Sequence, residues 1–403
     1  MTPAEDGEAR GGGLPACSLT REGRARARAG HPWVYRDDLA SAEGEHGDVV
    51  FVESGGAPLG TAFLSVRSKI ALRWIERGPE ARAPDPAFWR RRLQAAAARR
   101  EALRARTNAY RVVHDAADGF PGLVVDRYGP VAVVQSTIAG MDRLLADLAP
   151  AISETLGVSS VVARNDAGVR EQEGLERYVR VLAGEPLERV WVYEEGPRGR
   201  IEYPVDPLRG QKTGAFLDQR ENRWRLAELA RGRFLDAFSH VGVFSLHAAR
   251  AVSEAVLVDS SAAALAGARA AAARNGFSHL RAVEENVFDF LKAAAAAGER
   301  FDAIALDPPA FAKNRSEVPA ARRGYREINR RAMGLLERGG ILGTSSCSYN
   351  LSEEGFLSVL REAAAEARAE FRVIERRGQA EDHPVLLSFP ESAYLKFVVL
   401  EKL

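Results

Sequence analysis

The sequence predicts an α/β protein in which a doubly wound, mostly parallel sheet forms the carboxyl-terminal half and two smaller domains precede it. From Phe234 onward, apolar segments alternate with helical stretches, which is typical of such a sheet. Because no helix long enough for a crossover separates the last two segments, we expect the final strand to run antiparallel to its neighbours. The seven predicted strands are 234–236, 255–259, 280–284, 301–307, 339–345, 371–376 and 394–401.

Length and local patterning predict the domains before that sheet. A chain of 403 residues is too long for one ordinary domain. Short strands separated by glycines, among them 48–53 and 69–75, indicate a small β-rich domain. A central α+β domain follows a proline-rich break and begins with an arginine-rich helix over 86–106. The predicted divisions are a disordered leader over 1–13, the β-rich domain over 14–78, the central domain over 86–190, and a hairpin near 200–218 with the sheet over 191–403.

Composition narrows the class of protein. The chain is 46% hydrophobic and 28% charged, and it has no apolar run of the roughly eighteen residues that cross a bilayer. No secretory signal begins the chain, so we expect a cytoplasmic protein that does not enter membranes. Two cysteines, Cys17 and Cys347, cannot form a disulfide framework or a four-thiolate metal site, and we expect no metal.

Local excess of arginine indicates a polyanionic partner. Residues 90–106 hold seven arginines and one glutamate, and Arg24, Arg26 and Arg28 alternate before Gly30. Such clusters can hold the phosphates of RNA. An arginine-rich helix face can equally be a solvated surface, and the sequence leaves both interpretations open.

The turn after the first strand of the large sheet favours S-adenosylmethionine over a dinucleotide. A dinucleotide site would carry a G-x-G-x-x-G fingerprint, whereas only Gly242 is present. The strand instead supplies Asp236, which would attract a ligand that carries an ammonium and a sulfonium. At the next two strand ends, Asp259 can accept from ribose hydroxyls and Asn286 from an adenine amine, although both residue types also cap helices.

The turn Asp307-Pro308-Pro309 is a candidate substrate site. Two prolines fix the turn and leave its carbonyl groups free for a planar base. Phe311 and Lys313 follow and are suited to stacking and to phosphate or base contacts. The alternative is a structural turn with Phe311 in the core.

Cys347, in a turn rich in serine and threonine after an apolar strand, is the candidate nucleophile. Cytosine C5 accepts a methyl group only after another group adds to C6, and a thiolate is suited to that addition. Asp307, at the same predicted sheet edge, could act as the acid near N3 or O2. A lone cysteine is more often a buried small hydrophobe, which is the interpretation we adopt for Cys17.

Further segments complete an ordered set of motifs. They are Gly30-His-Pro-Trp-Val-Tyr35, Asp118-Gly-Phe-Pro-Gly-Leu-Val-Val-Asp-Arg-Tyr128, Gln211-Lys-Thr-Gly-Ala-Phe-Leu-Asp-Gln-Arg220, Asp307-Pro-Pro-Ala-Phe-Ala-Lys313, Ser345-Ser-Cys-Ser348, Asp382-His-Pro-Val385 and Tyr394-Leu-Lys396. With this set the chain resembles the large-subunit ribosomal RNA cytosine-5 methyltransferases. That family joins an N-terminal PUA domain to a central α+β domain and a Rossmann-like, seven-stranded methyltransferase domain. The resemblance covers nearly everything after residue 14.

The resemblance implies a methylation reaction and a set of site residues. It implies S-adenosylmethionine as cofactor, ribosomal RNA as partner, and Cys347 as the nucleophile. Residues implied at the cofactor are Phe216, Asp218, Gln219 and Arg220 beside it, and Asp236, Gly242, Asp259, Asn286 and Asp307 around it. Three positions depart from the family pattern, because Val243 replaces a usual glycine, Asn286 a usual aspartate and Ala116 a usual glutamate.

Two other functions remain open on the sequence. One is an RNA methyltransferase acting on a base nitrogen such as guanine N7, which needs no covalent cysteine. The other is an RNA-binding assembly factor without activity, which the departures at Val243 and Asn286 would favour. A dehydrogenase is disfavoured because the glycine fingerprint is missing. The sequence does not decide the target nucleotide or whether the protein forms a homodimer.

Overall fold

The computed structural model describes residues 13–312 and 314–403. The α/β class predicted from the sequence is confirmed, with three sheets of more than two strands and one separate hairpin. Apart from Gly13, the segment predicted to be a disordered leader lies outside the described residues. In the described part of the chain, no helix is both long and apolar enough to cross a bilayer.

The first sheet has six strands in the spatial order β2-β6-β5-β4-β1-β3. Its strands are β1 (Ala16–Leu19), β2 (Trp33–Tyr35), β3 (Leu39–Ala42), β4 (Val49–Ser54), β5 (Ala57–Leu64) and β6 (Ile70–Arg77), and helix α1 is Arg21–Arg28. Cys17 is fully buried in its core with Leu19 and Val50. Burial raises the pKa of the Cys17 thiol to about 11, so this cysteine remains a protonated, apolar side chain.

The second sheet has five strands in the order β11-β10-β9-β8-β7. The arginine-rich segment before it forms two helices instead of the one predicted, because the chain turns at Arg99 and Arg100, whose guanidinium groups both bind Asp118 at 2.6 Å. The elements are α2 (Pro86–Ala98), α3 (Glu101–Arg104), β7 (Ala109–His114), β8 (Leu123–Tyr128), β9 (Val131–Ser136), α4 (Ala139–Leu156), β10 (Ser160–Asn165) and β11 (Tyr178–Ala183).

Part of the arginine cluster serves packing. Arg92 donates to the carbonyl oxygen of Gly119 at 2.5 Å and lies 4.2 Å above the ring of Phe88. Arg90 and Arg91 are exposed and form no ion pair among the described residues. Only these two side chains of the helix are therefore presented to a polyanion without first breaking an internal contact.

The hairpin before the large sheet lies earlier than predicted. Its strands are β12 (Val190–Gly196) and β13 (Gly199–Val205), whereas the prediction was 200–218. Glu194 occupies an inward-facing position of β12, where the strand pattern requires an apolar residue, and this concealed the strand in the sequence. The carboxylate is buried there and paired with Arg223 at 2.7 Å. Beyond β13 the chain turns at Asp206, whose side chain accepts from two following backbone amides at 2.9 Å.

The third sheet has seven strands in the order β16-β15-β14-β17-β18-β20-β19. The last strand is antiparallel to both neighbours, as predicted, and the five strands from β16 to β18 are parallel. The strands are β14 (Gly232–Ala237), β15 (Val252–Asp259), β16 (Leu280–Glu284), β17 (Phe301–Leu306), β18 (Leu336–Ser346), β19 (Phe371–Arg377) and β20 (Lys396–Lys402). The helices are α5 (Arg220–Leu229), α6 (Val243–Ala248), α7 (Ala262–Arg274), α8 (Val287–Ala296), α9 (Val318–Leu335) and α10 (Glu353–Glu366).

The first two sheets share an apolar contact at the start of α4. Phe63 of β5 stacks on Trp89 of α2 with ring centroids 6.2 Å apart. A Cβ atom at Gly140 would overlap the Phe63 ring. Glycine at this helical position therefore lets the β-rich domain lie directly against the central domain.

We predict that Gly140→Ala weakens this contact. The added methyl group would displace Phe63 at a cost of about 1–3 kcal/mol, which should lower the first thermal transition in calorimetry. Gly334→Ala is the matched control, because a Cβ atom at this helical glycine would meet nothing within 4 Å apart from its chain neighbours and its own helix backbone. Alanine also favours a helix by about 0.5–1 kcal/mol. Equal transition temperatures for Gly140→Ala and the wild type would contradict the packing role.

Candidate active site

The polar residues predicted from the strand pattern lie along one edge of the seven-stranded sheet. Asp236 is the penultimate residue of β14 and Asp259 the last residue of β15. Asn286 follows β16, Asp307 follows β17 and Cys347 follows β18. Because these five strands are parallel and adjacent, their carboxyl ends form one continuous edge, which is where ligands bind in such sheets.

The turn after β14 has an unusual backbone. Phe238 and His240 have positive φ angles of 64° and 50°, and Gly242 follows with 76°. Left-handed residues other than glycine cost free energy and concentrate at functional sites. The turn is held to the next strand by the His240 amide, which donates to Asp259 Oδ2 at 2.9 Å.

Packing explains the residues at 242 and 243. A Cβ atom at Gly242 would overlap the side chain of Leu257, so glycine is required by both its φ angle and this contact. Val243, where the sequence resemblance led us to expect glycine, is buried in an apolar cluster with Leu217 and Leu246. The extra side chain at this position is therefore accommodated by the protein interior.

Asp236 is a buried carboxylate. Its Oδ2 atom accepts from the Ser245 amide at 3.0 Å and from the Ser245 hydroxyl at 2.8 Å. Burial raises the pKa of Asp236 to about 7, and the nearby carboxylates of Asp307 and Asp259 act in the same direction. A positive charge beside Asp236 would therefore stabilise its ionised form.

Asp307 is held by two hydrogen bonds from other elements. Its Oδ1 atom accepts from Gln219 Nε2 at 2.9 Å and from the Ser345 hydroxyl. Asn222 fixes Gln219 in turn, donating to its Oε1 atom at 2.7 Å. Burial raises the pKa of Asp307, so the structure favours its protonated form more than water does.

Lys212 is a site residue that the sequence analysis did not single out. Its ammonium lies 2.7 Å from Asp218 Oδ2 and 4.6 Å from the centroid of the Phe216 ring, and its φ angle is 54°. The Tyr394 hydroxyl donates to the same Asp218 oxygen at 2.7 Å. Burial is the largest single influence on Asp218 and opposes its ionisation, but Lys212, His383 and the Tyr394 hydroxyl together outweigh burial and lower the pKa of Asp218. The signal in the sequence was the motif 211–220, in which this lysine lies four residues before Phe216, the first of the predicted cofactor residues.

Cys347 is partly exposed beside this group. Burial raises the pKa of its thiol to about 11, and Asp307 is the next largest influence in that direction. Asp218 also opposes ionisation, whereas Lys212 favours it. A thiolate here needs more positive charge nearby than Lys212 provides.

Arg220 lies away from this edge. Its guanidinium is fully buried and donates to Asp382 Oδ2 at 2.8 Å and to the carbonyl oxygen of Ala109 at 3.0 Å. The same Asp382 oxygen accepts from the Arg111 amide at 2.8 Å, and Asp382 Oδ1 contacts His383 Nδ1 at 2.8 Å. Arg220 therefore joins α5 to the central sheet and to the carboxyl-terminal segment, and its predicted contact with a cofactor remains a prediction.

Asn286 and Phe311 make structural contacts. The exposed Asn286 side chain caps α8 by accepting from the Phe288 amide at 2.9 Å. The ring of Phe311 packs on Tyr325 with centroids 4.6 Å apart. These are the capping and core roles that the sequence left open for them, and their ligand contacts remain predictions.

Two of the remaining predicted substrate residues, Pro308 and Pro309, lie in the turn after β17. Pro308 is buried and Pro309 is exposed, while Lys313 lies outside the described residues. The Ala312 amide donates to Ser348 Oγ at 3.2 Å. The turn that begins at Asp307 is therefore tied to the loop that carries Cys347.

We predict that Arg220→Met destabilises the protein by about 3–5 kcal/mol, because the buried Asp382 loses its arginine and keeps only the Arg111 amide and His383 as partners. Denaturant unfolding measures the change. Arg225→Met is the control on the same helix, since Arg225 forms half-buried pairs with Glu228 and Glu375 whose loss should cost less than about 1 kcal/mol. Similar losses of unfolding free energy in the two variants would show that the buried pair contributes no more than the half-buried pairs.

Comparisons with known proteins agree with this architecture. A family described as a PUA-like domain matches residues 18–77, and one described as an S-adenosylmethionine-dependent methyltransferase matches residues 162–399. Proteins named ribosomal RNA large subunit methyltransferase I, from Shewanella denitrificans and Alteromonas mediterranea, are 38% and 37% identical to the chain. The alignments cover 92% and 93% of this chain and 94% and 95% of the relatives.

Solved structures share the fold. A chain from Streptococcus mutans described as a SAM-dependent methyltransferase has a TM-score of 0.80 at 22% identity, covering 96% of this chain and 99% of that one. A structure described as a methyltransferase complexed with SAH gives 0.79 at 21% identity, with the same coverage. The family model that matches residues 162–399 makes S-adenosylmethionine the cofactor, as predicted. The chain belongs to the S-adenosylmethionine-dependent methyltransferases that carry an N-terminal PUA-like domain.

Proposed function

We propose that the chain methylates C5 of a cytosine in large-subunit ribosomal RNA through a covalent adduct with Cys347. The observation that carries this proposal is the position of the thiol, one residue beyond β18, at the same sheet edge as Asp307 and Asp236. The relatives named as large-subunit ribosomal RNA methyltransferases support the choice of RNA. The Arg90 and Arg91 side chains are candidates for phosphate contacts.

The sheet edge fits a cationic methyl donor. Four carboxylates, those of Asp218, Asp236, Asp259 and Asp307, lie close enough to influence one another or the thiol. Asp218 Oδ1 is buried and has no hydrogen-bond partner within residues 13–312 and 314–403. S-adenosylmethionine, when bound, supplies an electrophilic methyl group on a sulfonium, and we assign Asp236 and Asp218 to its positive groups. Asp259 is assigned to its ribose.

In the proposed reaction Cys347 acts first. Its thiolate forms a bond to C6 of the cytosine, which makes C5 nucleophilic, and C5 then takes the methyl group. Asp307 in its protonated form donates to N3 or O2 and stabilises the charge that develops in the ring. Loss of the C5 proton to a base and departure of the Cys347 thiolate from C6 restore the ring.

The raised pKa of Cys347 favours one alternative. Because the thiol is protonated at neutral pH in the absence of ligands, methylation of a base nitrogen, for example guanine N7, would need no change at this residue. Both reactions would use the same methyl donor and the same carboxylates. The role of Cys347 separates them.

We predict that Cys347→Ala and Cys347→Ser each lower the methylation rate by at least about a thousandfold, because the covalent step is lost. The assay measures methyl transfer to large-subunit ribosomal RNA from a strain that lacks the protein, followed by identification of the methylated nucleoside. Cys17→Ser is the control and should keep full activity. Near-normal turnover in Cys347→Ala, or a methylated base nitrogen, would refute the cytosine mechanism.

We also predict that affinity for S-adenosylmethionine falls as the pH drops below 7. The pKa of Asp236 is about 7 in the free protein and must decrease when a cation binds, so binding below pH 7 requires loss of a proton. Asp236→Asn should bind at least about tenfold more weakly and lose most of this pH dependence in calorimetry.

Asp302→Asn is the control for that experiment. Asp302 also lies on a strand of the large sheet and accepts from a backbone amide, that of Arg233 at 2.7 Å. It belongs to β17 near the opposite edge, so its replacement should leave cofactor affinity and its pH profile unchanged. A wild-type profile in Asp236→Asn would exclude Asp236 from the cofactor site.

A further inference from the structure

Lys396 is a buried cation without an ion-pair partner. Lys396 is only 6% exposed. Among the described residues, no carboxylate oxygen lies within 4.0 Å of its ammonium nitrogen. Every buried arginine among the described residues has a guanidinium nitrogen between 2.6 and 2.9 Å from a carboxylate oxygen. These pairs are Arg100–Asp118, Arg164–Asp166, Arg170–Asp142, Arg220–Asp382 and Arg223–Glu194.

Two carbonyl oxygens fix the Lys396 ammonium beside the loop that carries Cys347. Its Nζ atom donates to the carbonyl oxygen of Ser348 at 2.7 Å and to that of Tyr394 at 2.8 Å. Lys396 is the first residue of β20 and pairs with Ser346 of β18. The residues on both sides of Cys347 are therefore in direct contact with Lys396.

A cavity of about 780 Å³ reaches this lysine. Its wall also includes Tyr349, two residues beyond Cys347, together with Ala380 and Leu395. The ammonium thus borders open space as well as the Cys347 loop.

A buried ammonium held only by carbonyl oxygens is costly unless a negative charge comes close to it. The thiol on the neighbouring loop is the group that becomes negative in the proposed reaction. We propose that Lys396 is a positioning residue for the nucleophile, which stabilises the Cys347 thiolate by supplying its counter-charge. The inference rests on the proposed function, in which Cys347 must ionise before it adds to C6.

The electrostatics around the thiol support this role. Burial lowers the pKa of Lys396 to about 8, and Cys347 acts in the opposite direction, favouring the charged ammonium. Asp307 and Asp218 face the thiol and oppose its ionisation, while Lys212 favours it. Tyr325 of α9 also interacts electrostatically with Cys347, and burial raises the pKa of its phenol. Of these groups, the two lysines are the ones that carry positive charge.

The test measures thiol ionisation directly and does not depend on RNA. In the full chain carrying Cys17→Ser, the rate at which iodoacetamide alkylates Cys347 is followed by peptide mass spectrometry from pH 6 to 10.5. We expect Lys396→Met to slow alkylation at pH 7.5 by about 10- to 100-fold, the change that a rise of about 1 to 2 units in the thiol pKa would cause. Lys396→Arg should restore most of the rate, because it keeps the charge. If Lys396→Met does not fold, Lys396→Gln is used, since its amide can still donate to carbonyl oxygens but carries no charge.

Lys402→Met is the matched control. Lys402 lies on the same strand and likewise donates to two carbonyl oxygens, those of Met333 and Leu336, so its profile should equal that of the wild type. Identical alkylation profiles for the neutral Lys396 variants and the wild type would overturn the proposal. Failure of the cytosine mechanism would appear separately, as methylation that survives Cys347→Ala while the alkylation profile still responds to Lys396.

Discussion

The concentration of carboxylates at the edge of one sheet is the constraint on which the site depends. Burial and mutual repulsion oppose the ionisation of Asp236 and Asp307, and the structure compensates with donors such as Ser245 and Gln219. This arrangement is well suited to a cofactor that carries positive charge. The same field works against a thiolate at Cys347. In the proposed reaction one site must attract a cation and also ionise a thiol, and Lys212 and Lys396 are the groups that can reconcile the two demands.

The central sheet supports this site from outside. It contributes none of the proposed catalytic groups but fixes the loop that carries Lys212. Arg111 holds both carboxylate oxygens of Asp126, at 2.7 and 2.8 Å, and Asp126 accepts from the Thr213 hydroxyl at 2.5 Å. Thr213 directly follows Lys212, whose backbone is left-handed. A buried ion pair in one domain thereby fixes the loop that brings an ammonium to the edge of another. The Arg220–Asp382 pair also connects α5 with the central sheet, through the Ala109 carbonyl oxygen and the Arg111 amide.

Periodicity in the sequence was sufficient to predict the large sheet, its antiparallel last strand and the edge at which Asp236, Asp307 and Cys347 lie. Those features follow from apolar alternation and from the order of elements along the chain, both of which can be read from neighbouring residues. The contact partners of individual side chains, in contrast, often lie far away in the sequence. Nothing near Arg220 in the sequence indicates Asp382, 162 residues away, and the buried Glu194 disguised the strand that carries it. Lys396 is similar, because its importance comes from the neighbouring strand and the absence of a carboxylate among its described contacts.

The central claim is that the Cys347 sulfur bonds to cytosine C6, and the most direct measurement is a mechanism-based trap. Fluorine in place of the C5 hydrogen cannot leave as a proton, and without that step the Cys347 thiolate is not released from C6. RNA carrying 5-fluorocytidine at the target should therefore remain attached to the protein after methyl transfer. We expect a denaturation-resistant complex that forms only with S-adenosylmethionine, with mass spectrometry placing the nucleotide on the peptide that contains Cys347. Turnover of unmodified RNA without any such complex from the fluorinated RNA, or attachment at another residue, would contradict the account.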